Sequence, residues 1–314
     1  MDSHVWGLPV TLDLFSAGLG AGAFCFSVFS GRRTGIAFDA CSRMGAFLAP
    51  LSLAFGMLML IIDLRYPSRF WFTMGTFNYR SPMSMGVWLL SLFALISIVY
   101  ALFWVPSAVR SRLPLLGRSS FWEKRTYRKA LGLSGLPLAL GVSVYTGVLL
   151  SASALPLWRN MALPPLFCLS AVSTGLAGGT ILAMVCSRGI GETEFLDRLA
   201  PLLERGLRVL LPAYLLAAAA FLILLFSARL PRSELFALLA GWNGVLWWLG
   251  AIGIGIVLPL GIVLRKGRMG IAALYTALAA ILIGGFLLRF TLVAAGQLHS
   301  EALSRLQGYI NILC

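Results

Sequence analysis

Histidine is nearly absent from this chain. His4 and His299 are the only two in 314 residues, and each lies at the edge of an apolar run. A membrane-embedded haem b takes imidazole ligands projecting from inside spanning helices, so the scarcity speaks against haem. Cysteine is sparse as well: the five, at 25, 41, 168, 186 and 314, form no C-x-x-C pair. Iron–sulfur clusters and structural zinc need clustered thiolates, so neither is expected. Cys25, Cys168 and Cys186 fall in apolar runs and read as small core residues. Charge is the third shortage, at 11% of residues, where a soluble domain carries about 25%.

What fills the chain is apolar. Hydrophobic residues make up 59% of it, and the mean hydropathy is +0.90. Such a chain cannot solvate its own surface in water, so most of that surface faces lipid. The net charge of +14 suggests nucleic acid only where a soluble fold gathers it on one face. Here the basic residues sit between apolar runs, as topology signals do, and no nucleic-acid partner is expected.

A spanning helix takes about 20 mainly apolar residues. Eight segments qualify: 8–29, 43–62, 84–106, 131–152, 163–186, 207–227, 237–264 and 270–296. The first lacks a basic leader and has a long apolar stretch, so it reads as a retained helix and not a cleaved signal peptide. Lys and Arg gather in the first, third, fifth and seventh loops, from Arg32 and Arg33 through Lys124 and Arg125 to Arg265 and Lys266. The positive-inside rule then turns both termini and the even loops outward. The loops are short and leave no room for a soluble domain. The basic run 110–129 reads as a topology anchor that also meets anionic lipid, and the mixed-charge stretch 187–205 as a solvated linker.

Residues 12–24, "LDLFSAGLGAGAF", match the G-x-G-x-x-A form of the dinucleotide fingerprint through Gly18, Gly20 and Ala23, with Asp39 near the expected acidic position. That fingerprint needs a strand before it and a helix after it. These residues lie inside an apolar span, so the reading fails. Gly18 and Gly22 instead form a G-x-x-x-G face of the kind that lets helix backbones approach closely in lipid.

The same segment carries Asp13, about two turns inside the outer surface. An acid in a spanning segment is costly and usually faces protein or water. It is either a helix-end residue reaching for the interface or a proton-accepting group in a pocket. Other polar groups fall at the same level: Tyr145 in the fourth span, Asp63 at the end of the second, and Ser84 and Trp88 in the third. An acid, a phenol and aromatic walls at the membrane edge suit a lipid-soluble quinol, whose hydroxyls need acceptors and whose ring needs apolar cover. The outward loop 63–83, "DLRYPSRFWFTMGTFNYRSPM", offers Arg65, Arg69 and Arg80 for partner docking or headgroup contact. In the last four spans Arg289 is the one charged interior residue. It reads either as snorkelling or as a packing hydrogen bond, and no continuous proton path is expected through that half.

Together these segments resemble the NrfD-type membrane subunit family, which includes the membrane subunit of polysulfide reductase. The resemblance runs through "LDLFSAGLGAGAF", "LIIDLRYPSRFW", "SPMSMGVWLLS", "YTGVLLS", "LPPLFCLSAVSTGLAGG" and "GGFLLRFTLVAAGQ", and so covers nearly the whole chain. It implies an all-α integral membrane protein of the bacterial inner membrane, with eight helices in two four-helix bundles, residues 1–152 and 153–314. It further implies a menaquinone or ubiquinone site in the first bundle near the outer face. Tyr145 matches the family's pocket tyrosine, and Asp13 its polar position in the first helix. A four-cluster ferredoxin-like subunit would dock outside and serve a molybdopterin catalytic subunit. The haem-free character of such anchors agrees with the two histidines. The competing reading is a secondary transporter with a polar midplane site, in which Pro137, Pro212 and Pro259 would break helices.

Overall fold

The computed structural model describes residues 7–63, 81–106, 109, 122, 124–153, 155–186, 195–228, 232–265 and 270–313. Arg65, Arg69 and Arg80, on the loop expected to receive a partner, lie outside the described residues. The described chain is all helical. In order the helices are α1 (Leu8–Ser30), α2 (Ile36–Asp63), α3 (Pro82–Leu102), α4 (Arg125–Ser151), α5 (Leu163–Cys186), α6 (Ala200–Ser227), the short α7 (Arg232–Leu239), α8 (Gly241–Leu264) and α9 (Ile271–Leu313). Eight of them are long and apolar enough to cross a membrane.

Several helices begin earlier than the apolar runs. The second span starts at Ile36 where 43 was expected, the fourth at Arg125 where 131 was expected, and the sixth at Asp197 where 207 was expected. The reason is physical: hydropathy reads the stretch that lipid solvates, whereas the helix continues through the interface, where Arg43, Arg125 and Arg205 are exposed. At the other end, α9 runs on to Leu313, so the backbone after 296 is helix and not an irregular tail.

The expected seventh span, 237–264, is divided. α7 ends at Leu239, and Gly241 takes a left-handed backbone (φ +62°), which a side chain would disfavour. Within α8, Leu246–Val257 is wound as a π-helix, and the Leu258 N–H donates to the Gly253 carbonyl. Gly255 there meets Gly284 of α9 backbone to backbone. By contrast Pro137 and Pro212, offered by the transporter reading as breakers, sit inside uninterrupted helices.

α1 is the hub. It packs on α2, α4, α5 and α9, and its small residues make this possible. Added side-chain atoms on Gly22 or Gly175 would overlap the other helix's backbone, so α1 and α5 touch at Gly22, Ala171 and Gly175. Gly18 also faces Ala171, which places the G-x-x-x-G face against α5, while Gly20 faces Ala49 and Ser52 of α2.

Buried apolar side chains form two clusters. One joins α1 to α4 around Phe24, Phe93, Tyr100 and Val142. The other joins α5 to α9 around Trp158, Phe167, Phe221 and Trp247, and also takes in Leu14 and Phe38. The connection between α4 and α5 is fastened to the second cluster. Trp158 Nε1 donates to the Leu292 carbonyl at 2.8 Å, and Asn160 Nδ2 to the Phe221 carbonyl at 3.0 Å.

Candidate functional site

α1 enters from Gly7 with Pro9 in its first turn, where a missing N–H costs nothing. This sets Asp13 a little over one turn into the helix. Its side chain is half-buried and makes no hydrogen bond or ion pair with the described residues. The turn beneath it is held by Ser16, whose Oγ donates to the Asp13 carbonyl at 3.0 Å. Opposite stands Gly56 of α2: a Cβ there would lie 2.8 Å from Asp13 Oδ1 and overlap Ser16 Oγ. Gly56 thus gives the carboxylate its room.

Tyr145 of α4 is half-buried and lies within electrostatic reach of Asp13. Its ring rests on Gly86 of α3, where any Cβ would overlap the phenol carbons and oxygen. Two glycines, one on α2 and one on α3, therefore make the walls for an acid and a phenol carried by α1 and α4. Gly86 closes the S-P-M-S-x-G element of the family resemblance, but neither glycine was read from the sequence as a wall of the site. The signal available was a lone glycine in each of two otherwise large-residue stretches, "LAFGML" and "SMGVW".

The other expected members sit less centrally. Ser84 is half-buried, and Trp88 is 48% exposed. They flank Gly86 at two residues on either side, and helix positions two apart do not share a face. Trp88 thus lies on a different face of α3 from Gly86. Asp63 is the half-buried last residue of α2, two turns beyond Gly56.

Arg289 is fully buried, at 0% exposure, and its guanidinium is hydrogen-bonded inside the protein. Nε donates to the Leu14 carbonyl at 3.1 Å; Nη1 donates to Ser170 Oγ at 2.8 Å and to the Gly285 carbonyl at 2.9 Å. The guanidinium also lies against the Phe15 and Phe167 rings. Arg289 Nη2 and the Tyr214 hydroxyl are buried without a hydrogen-bond partner among the described residues. Gly18 leaves the space for Nη2, which stands 2.5 Å from where a Cβ would be.

Chemically, the Asp13–Tyr145 pair offers one carboxylate with open acceptor oxygens and one phenol able to donate or accept. A ligand with a hydroxyl or carbonyl on a flat apolar ring matches this set chemically: the hydroxyl finds an acceptor and the carbonyl a donor. The set holds no imidazole or clustered thiolate for a metal, and among the described residues no three His, Cys, Asp or Glu side chains gather to ligate one.

The profile of the family described as "Polysulphide reductase, NrfD" matches residues 1–301 of this chain. The chain is similar to a polysulfide reductase chain of Wolinella succinogenes, 30% identical over 93% of this chain and 94% of the relative. It is similar to a selenate reductase subunit of Mesobacillus selenatarsenatis, 28% identical over 88% of this chain and 72% of the relative. It is also similar to the Hdr-like menaquinol oxidoreductase integral membrane subunit of Archaeoglobus fulgidus, 25% identical over 97% and 76%.

Proposed function

Because this chain belongs to the polysulphide reductase NrfD family, we propose that it is the quinone-reactive membrane anchor of a respiratory oxidoreductase. Its eight apolar helices and its family make it a multi-pass membrane subunit of an oxidoreductase complex. The quinone reading is supported by one observation: the Asp13 carboxylate, without a hydrogen-bond partner among the described residues, lies within electrostatic reach of Tyr145. The menaquinol named in the Archaeoglobus relative supports it.

In this reading Asp13 and Tyr145 hold a menaquinone or ubiquinone headgroup. Bound there, a quinol supplies two electrons and two protons. Asp13 accepts a hydrogen bond from a ring hydroxyl and then holds the proton at a carboxylate oxygen, near the outer end of α1. Tyr145 orients the opposite ring oxygen and relays the second proton outward, and Gly86 fixes the phenol that does so. The apolar flanks of α1 to α4 exclude water from the ring.

Electrons pass to a four-cluster ferredoxin-like subunit docked over the 63–83 segment, where Arg65, Arg69 and Arg80 supply charge, and from it to a molybdopterin catalytic subunit. This chain contributes no terminal-substrate centre. The positive-inside pattern supports an outward docking face in the bacterial inner membrane, and the two apolar clusters support a division into two bundles, 1–152 and 153–314.

Purification from mild detergent tests the assignment. Co-recovery of an iron–sulfur protein, molybdenum and a quinone supports it; a lone, quinone-free chain favours the transporter reading. Uninterrupted helices at Pro137 and Pro212 weigh against that reading, while Pro259 sits where the π-wound stretch of α8 gives way to α-helix.

A further inference from the structure

On the side of the molecule away from Asp13, a crevice of 860 Å³ opens between α1, α4, α5 and α6. This is at the upper end of the range for small-molecule sites, about 300–1,000 Å³. Its mouth is basic. Arg32 and Arg33 come from the α1–α2 turn and Arg205 from the first turns of α6, so two separate parts of the chain converge on one opening. All three arginines are exposed, and none pairs with a carboxylate among the described residues. Glu204, the neighbouring acid, is turned to Arg208 at 3.5 Å.

Below the mouth the walls are apolar: Phe26 and Phe29 of α1, Leu136 and Leu140 of α4, Val172 and Leu176 of α5. The crevice reaches Gly22, where α1 and α5 close on each other. From Ser30 at the rim to Gly22 at the floor is eight residues, about 12 Å of helix. That is close to the depth of one leaflet, half of a hydrocarbon core about 30 Å thick. A second cavity of 230 Å³ shares Arg32 and adds Arg128 and Lys129, which extends the basic rim toward α3.

We infer that this crevice is a binding site for one anionic glycerophospholipid of the inner leaflet, its phosphate held by Arg32, Arg33 and Arg205 and its acyl chains lying along α1, α4 and α5. Guanidinium groups match phosphate oxygens in a planar fork, and basic pockets between helices on the cytoplasmic side recognise anionic headgroups. An uncharged quinone headgroup would leave three cations without a counter-charge. Topology alone explains arginines at the interface; it does not explain their convergence on a leaflet-deep apolar slot that no carboxylate lines among the described residues. In such a place the lipid fills the seam between the two apolar clusters.

The test is native mass spectrometry of the full chain, delipidated and then returned to nanodiscs of phosphatidylglycerol or of phosphatidylcholine. The wild type is expected to retain one phosphatidylglycerol per chain, at least about tenfold over phosphatidylcholine. An Arg32→Gln, Arg33→Gln, Arg205→Gln variant, altered only at exposed positions, should lose that preference. Leu140→Trp, which narrows the slot at one wall and keeps the arginines, should lower retention of either lipid. Equal retention of the two lipids by the wild type would overturn the proposal. So would a phosphatidylglycerol preference that survives the triple variant, or a quinone released by Leu140→Trp in place of lipid.

Discussion

Arg289 of the last spanning helix donates its Nε to the carbonyl of Leu14 in the first, 3.1 Å away across 275 positions of sequence. Leu14 is the residue after Asp13. The carboxylate proposed to meet quinol is thus carried on a turn of α1 fixed from the far half of the chain.

Removing that tie should loosen the molecule as a whole. Arg289→Ala loses the two interhelical hydrogen bonds, to Leu14 and Ser170, each worth up to about 1–2 kcal/mol in a membrane protein. It also opens a cavity beside Phe15 and Phe167. A loss of about 2–4 kcal/mol is expected, read as a lower unfolding midpoint in detergent. An unchanged midpoint would show that the guanidinium is not a structural tie.

The α1–α5 seam should be less tolerant still. At Gly175 a side chain meets the backbone of Gly22 and Ala23, which cannot rotate away. Gly175→Val should cost at least about 3 kcal/mol and abolish purification of a monodisperse protein. Gly206, with open space around it, serves as the control, and Gly206→Val should purify normally.

Gly86→Ala is expected to act differently, because the group in its way is the Tyr145 ring and not backbone. The ring shifts, the fold survives, and quinol turnover falls roughly ten- to a hundredfold through misplacement of the phenol. In a Tyr145→Ala background the same substitution should add nothing. Full additivity of the two changes would contradict the contact.

Much of this architecture is legible in the sequence, because lipid imposes a simple rule: about 20 apolar residues per span. The eight spans, the small face of Gly18 and Gly22, and the prominence of Asp13 and Tyr145 all follow from it. What was not legible depended on contacts between distant segments. Gly56 and Gly86 are single glycines whose purpose appears only when Asp13 and Tyr145 stand opposite them. Arg289 gave two readings of equal merit until Ser170 and Leu14 were found within its reach. The division at Gly241 was hidden because the residues on both sides are apolar, and hydropathy does not record a change in backbone hand.

Asp13→Asn tests directly whether the Asp13 carboxylate takes a proton from quinol. The amide keeps the size of the carboxylate and the Ser16 hydrogen bond to the backbone, and removes the group that accepts and holds a proton. With the assembled complex in liposomes, quinol oxidation should fall by about a hundredfold or more, while subunit assembly and the unfolding midpoint stay as in the wild type. Undiminished quinol oxidation by Asp13→Asn would contradict the account and remove Asp13 from the chemistry of this membrane subunit.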